Sequence, residues 1–275
     1  MLSKLKTILE SLWPKRGPSI QELLAQLSSS EAHSRWEAAE ALAPHCDKPQ
    51  VTKALVDALG DPHPFVRWQA GESLTRCKSE DVFALLEAAL SSRDSRRRGS
   101  AADVLGKRGD KRAVSALCKA LESRNAEVRC SAAEALARLA DQAAVPALQK
   151  ALDDSDVQVR RAAVGALGAT GSREAFTLLK KMLADDSAVV RASAADALGK
   201  LMDPRAAGPL QCVLTDSDPG VRWYTVRALG QVAGAEILPL LDPLLKDDTE
   251  VLGVSIAEAT RIAIENIKRR QNKRR

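Results

Sequence analysis

Apolar residues recur along this chain with a period longer than any single helix or strand. Leu24, Leu55, Leu86, Leu117, Leu148, Leu179, Leu210 and Leu241 stand 31 residues apart. A fixed period of roughly 20–50 residues is the signature of stacked repeats. Within a unit, apolar residues fall at helical spacing, as in Val114, Leu117 and Leu121, then Val145, Leu148 and Leu152. The pattern predicts two helices per unit, a first like Arg112–Leu121 and a second like Ala126–Leu139.

Polar punctuation supports those bounds. Asp94, Asn125, Asp156, Ser187 and Asp218, with Asp248 in the last unit, suit the position before a second helix, where a side-chain oxygen accepts from free first-turn N–H groups. Pro64 and Pro219 follow that place, where a missing N–H costs nothing. Asp47, Ser79, Asp110, Asp141, Ser172 and Asp203 form a second cap row, and Gly109 and Gly171 precede it as helix stops. Gly106, Gly168, Gly199 and Gly230 share one place inside the second helix. A glycine there costs about 1 kcal/mol against alanine, so its reuse predicts close approach of the next helix.

A basic row accompanies the leucines: Arg35, Arg67, Arg98, Arg129, Arg160, Arg191 and Arg222, with one extra residue in the first interval. Each lies early in a second helix, where the helix dipole disfavours a cation. Acidic residues six or seven positions earlier (Asp61, Glu122, Asp153, Asp154, Asp185, Asp216) predict a structural ladder of arginine–carboxylate contacts.

The motif D-x-x-V-R-x-x-A-A-x-A-L-G, as in Asp156–Gly168, resembles the HEAT-like repeats of the phycobilin-lyase type, from about Gln21 to Lys268. The resemblance implies an all-α solenoid of about eight antiparallel helix pairs, with the second helices lining the concave side. It also implies a functionally mixed family of chromophore lyase subunits, a di-iron deoxyhypusine hydroxylase and scaffolds. That hydroxylase holds its metal with His-Glu dipeptides. Here His33, His45 and His63 are the only histidines and none precedes a glutamate.

Composition adds limits. Net charge is +5, but Lys268, Arg269, Arg270, Lys273, Arg274 and Arg275 supply six of the 41 basic residues, leaving a body near −1 against 36 acidic residues. The expected layout is an N-terminal amphipathic cap helix and linker (1–19), a solenoid (20–268) and a disordered basic tail (269–275). The cap carries Leu2, Leu5, Ile8, Leu9, Leu12 and Trp13 beside Lys4 and Lys6, with a membrane-surface helix as the rival reading. Cys46, Cys77, Cys118, Cys130 and Cys212 are odd in number and lack C-x-x-C spacing, so reduced thiols are expected, without a disulfide framework or zinc site. No apolar run reaches the roughly 18–20 residues of a membrane span, and the start lacks the features of a signal peptide. A cytoplasmic monomer is the expectation.

No catalytic motif, metal site or cofactor site is legible, so a binding function is expected rather than an enzyme. The residues following the arginine row offer its surface. Trp36, Trp68 and Trp223 share one place, with Glu37, Phe65, Gln69, Tyr224 and Arg227 beside them. Exposed rings ringed by polar groups suit a protein or peptide on the concave face; packing of the rings over neighbouring helices is the alternative. Next to them runs an acidic row, Glu40, Glu72, Asp103, Glu134 and Asp196, four of which precede a base by four residues. Two rival functions remain: a lyase-like or chaperone-like subunit handling a chromophore or cofactor with a partner, and weak binding of nucleic acid or anionic membrane through the tail.

Overall fold

The computed structural model describes residues 17–274, with side chains through 272. The apolar stripe at Leu2–Trp13 and its cap helix lie outside the described residues. The chain divides into two compact units, Met1–Leu85 and Leu86–Arg275. Among the described residues there are sixteen α-helices in eight successive pairs. The fold is an all-α solenoid.

The first unit contains α1 (Ile20–Gln26), α2 (Ala32–Ala41), α3 (Pro49–Ala58) and α4 (Pro64–Arg76). Ser19 and Glu22 close a reciprocal capping box on α1, satisfying two free N–H groups at once. Helix α2 packs on α4, and α3 packs on α4. The core here is Leu23, Leu42, Leu55, Leu59 and Leu74, each at most 4% exposed. Leu24, predicted to head the buried leucine row, is only half-buried, and Leu23 takes its place. The reason lies in the extra residue of the arginine row: Leu23 precedes Arg35 by 12 residues, as Leu55 precedes Arg67 and Leu148 precedes Arg160.

The thiol expectation is corrected in this unit. Cys46 and Cys77 are joined by a disulfide, with Cα atoms 5.8 Å apart and a sequence separation of 31. That separation is one repeat, so stacking brings the two equivalent positions together. Cys118, Cys130 and Cys212 are free.

Helix α5 (Asp81–Ala89) carries the division between the units. The second unit continues with α6 (Ser95–Arg108), α7 (Val114–Ala120), α8 (Ala126–Leu139), α9 (Val145–Ala151), α10 (Val157–Thr170), α11 (Arg173–Met182), α12 (Ala188–Lys200), α13 (Ala207–Gln211), α14 (Pro219–Val232), α15 (Leu238–Leu241) and α16 (Ile256–Arg274). The predicted second helix Ala126–Leu139 has those bounds. The predicted first helix Arg112–Leu121 begins instead as a 3₁₀ turn, Lys111–Ala113, before α7. Asp94, Asn125, Asp156 and Asp218 cap second helices through their side chains, and Asp110, Asp141, Ser172 and Asp203 cap first ones. Ser187 occupies its cap place without a side-chain bond. Leu117, Leu148, Leu179, Leu210 and Leu241 are wholly buried, each stabilising the stack by about 1.5–3 kcal/mol.

Second helices press on one another along the stack: α6 on α8, α8 on α10, α10 on α12, α12 on α14 and α14 on α16. The glycine row explains the fit. A Cβ at Gly106 would stand 2.6 Å from Ala135 Cα, and one at Gly168 2.8 Å from Ala197 Cβ.

The chain end departs from expectation. A two-residue antiparallel hairpin pairs Glu250–Val251 with Val254–Ser255 before α16 begins at Ile256. Leu252 and Gly253, both at positive φ, make its turn. The segment expected to be a disordered tail from 269 continues α16 to Arg274. Arg270 donates to the Gly230 and Ala233 carbonyls, and Arg269 pairs with Glu265 at 2.6 Å. Backbone acceptors at the end of α14 thus fasten this segment, which composition alone marked as solvated.

Candidate binding surface

The arginine row is a ladder built from the repeat itself. Arg129 donates from Nε and Nη2 to the two oxygens of Asp154, at 2.6 and 2.7 Å. Arg160 grips Asp185 and Arg191 grips Asp216 in the same two-pronged way. Arg35 does so with Asp61, and Arg222 sends both donors to one oxygen of Asp247. The rung therefore runs forward to the next unit, about 25 residues on, and each Nη1 turns back to a carbonyl six residues earlier. The side chains of Arg129 and Asp154 are 14% and 10% exposed. The Arg129 guanidinium holds the Asp154 carboxyl below the usual carboxylate range, against burial, and Arg191 does the same for Asp216. Arg67 and Arg98 keep the backward contacts, to Asp61 and Ser92 carbonyls. The register places Ser92 and Ser123 where the other rungs have an aspartate.

The aromatic positions separate into two environments. In the first unit Phe65 is 67% and Trp68 54% exposed, while Trp36 is half-buried. These rings, with Ala32, His33 and His63, enclose a hollow of about 490 Å³. His33 stacks on Trp36 at 6.0 Å between centroids, and His63 lies 5.6 Å from Phe65. Glu37 meets His33 at 3.2 Å, on the rim. Gln69, expected on this surface, is buried instead.

Trp223 also contradicts the exposed reading, being only 8% exposed. Tyr224 meets its ring edge-on at 4.9 Å, and the Arg227 guanidinium lies 5.2 Å over it. Arg227 is in turn held by Asp196. Trp223, Tyr224 and Arg227 thus pack as one cluster, with Trp223 covered and Arg227 at its exposed edge. Tyr224 still borders a hollow of about 650 Å³, lined also by Gly165, Gly168 and Ala192.

The acidic row is largely neutralised by bases on the same and neighbouring helices. Asp103 meets Lys107 and Arg138, Glu134 meets Arg161, and Asp196 meets Lys200 and Arg227. Arg138 and Arg161 reach from the next unit, a pairing that the within-helix spacing did not reveal. Burial pushes the Cys118 and Cys130 thiols up, which makes neither a ready nucleophile. Among the described residues no three His, Cys, Asp or Glu side chains gather as a metal site requires. No helix among them is long and apolar enough to cross a membrane.

The sequence matches the family of HEAT repeats over residues 20–106, 84–163, 114–199 and 178–259. The chain belongs to the HEAT-repeat family. No curated protein matches it. Among solved structures it is similar to YibA of Escherichia coli, at 22% identity over 92% of this chain and 93% of that one, with a TM-score of 0.64. It is similar in fold to Kap95p, in a structure with RanGDP, at 15% identity and a TM-score of 0.61, over 92% of this chain and 41% of that one. The complex of CpcE and CpcF of phycocyanin lyase from Nostoc matches at 25% identity and a TM-score of 0.44, over 93% of this chain and 98% of that one.

Proposed function

We propose that this HEAT-repeat chain is a scaffold that binds another polypeptide through the aromatic hollow of its first unit. The observation that carries the reading is the exposure of Phe65 and Trp68 beside Trp36. An aromatic side chain buries about 150–250 Å² when covered, and leaving two in water is a standing cost. Binding surfaces use such rigid anchors inside a polar rim, here Glu37 and the two imidazoles. The occupant that fits is an apolar side-chain cluster on a partner segment. Kap95p, which shares the fold and binds RanGDP, is a protein-binding precedent.

The test compares what co-purifies with wild type and with Phe65→Ala/Trp68→Ala. Both side chains project into water, so the variant should keep its helical circular dichroism and melting temperature. Partners held through the hollow should weaken by about 2–4 kcal/mol, roughly 30- to 1000-fold. An unchanged partner set with an intact fold would overturn the reading.

A further inference from the structure

The arginine ladder has a rung whose carboxylate the sequence does not supply, and that rung opens on a hollow. In the second unit Arg98 holds the Ser92 and Arg93 carbonyls with Nη1, as every rung arginine holds its own unit. Its Nε is buried and, among the described residues, meets no acceptor. In the following repeats of the same unit that N–H, with Nη2, grips Asp154, Asp185 or Asp216. The position 25 residues after Arg98 is Ser123.

Ser123 does half of the aspartate's work. Asp154 Oδ1 accepts from the Asp156 N–H, and Ser123 Oγ accepts likewise from Asn125. The turn survives, but the negative charge and second oxygen are gone. A buried donor without an acceptor is a standing cost to the fold, greater for a charged group. Beside it lies a hollow of about 570 Å³, lined by Ser92, Arg98, Lys119, Ser123 and Arg124. Glu87 and Glu122 also border it, against three bases.

We propose that this hollow binds a carboxylate, which takes the Nε and Nη2 donors of Arg98 as aspartates do in the neighbouring units. Both donors of a guanidinium fork match the two oxygens of a carboxylate. Lys119 and Arg124 add attraction at the mouth. The site is separate from the aromatic hollow, and its fate is independent of that reading.

The experiment follows the arginine Nε–H resonances by NMR while acetate is titrated against chloride at constant ionic strength. A second titration uses a capped Gly-Glu-Gly peptide. One resonance should shift saturably in wild type. Ser123→Asp, which supplies the carboxylate from within, should remove that response and raise the melting temperature. Arg98→Lys, which keeps the charge but loses the fork, should delete that resonance and leave no other arginine Nε–H shifting saturably. Tighter binding of the peptide assigns the carboxylate to a polypeptide, and tighter binding of acetate to a small acid. No saturable shift, or the same shift in Ser123→Asp, would overturn the proposal.

Discussion

Cys46 and Cys77 are bonded across one repeat, their Cα atoms 5.8 Å apart and their positions separated by 31 in sequence. Both are nearly buried, at 5% and 4% exposure, so the link is part of the first unit's interior. Closing a loop of that length restricts the unfolded chain by about 3–4 kcal/mol in the chain-entropy account.

Reduction should therefore lower the melting temperature of the oxidised protein. Calorimetry with and without a strong reductant checks this, and Cys46→Ser/Cys77→Ser should melt at the reduced value under both conditions. Mass spectrometry after alkylation without reductant should find three modified cysteines, Cys118, Cys130 and Cys212. Five modified cysteines with no reductant effect would refute the link.

The ladder makes stability sensitive to acid. Asp154 and Asp216 are held below their ordinary range by Arg129 and Arg191, against burial. A carboxyl whose folded pKa is lowered contributes fully above its unfolded value, about 3.9, and loses that contribution as pH falls through the folded value. Melting temperature should then hold from neutral pH to about 4 and fall steeply below it. Asp154→Asn should cost about 3 kcal/mol at pH 7, the low end for breaking a buried pair, and should flatten the acid limb. An acid limb as steep as in wild type would show that other groups govern it.

Much of this was legible because the repeat copies its own physics. Arg129 and Asp154 announce each other by recurring together, and Gly168 announces a helix that must approach. What stayed hidden depends on neighbours rather than on the place in the repeat. Trp68 and Trp223 occupy one register position, yet one is exposed and the other covered by Tyr224 and Arg227. The disulfide is invisible to metal and redox motifs, because only the period of 31 brings Cys46 onto Cys77. Helix α16 runs past Lys268 because Arg270 finds the Gly230 and Ala233 carbonyls, which no local rule supplies.

Two glycines of α10 should respond oppositely to the same substitution. Around Gly165 an added Cβ meets nothing within 4 Å, whereas at Gly168 it would stand 2.8 Å from Ala197 Cβ. Gly165→Ala should gain about 1 kcal/mol from helix propensity alone. Gly168→Ala should lose about 1–3 kcal/mol, since α10 and α12 must part to admit the methyl group. Denaturant melts of the two variants decide it. A gain at both positions would mean that the second helices have slack between them.

The last prediction tests the register of the first repeat. Sequence periodicity nominates Leu24, but the spacing of 12 to the arginine row and the 4% exposure of Leu23 nominate its neighbour. One residue turns a helix by about 100°, enough to move a side chain from core to rim. Leu148 is wholly buried in a central pair, and Leu148→Ala should cost about 2–5 kcal/mol through lost contacts and the cavity left behind. Leu23→Ala should come next, since Leu23 keeps 4% exposure where Leu148 keeps none. Leu24→Ala should cost least. Chemical denaturation monitored by circular dichroism orders the three. If Leu24→Ala cost more than Leu23→Ala, the first repeat would have to be one residue short between its core leucine and Arg35, and its first helix would be threaded one position out.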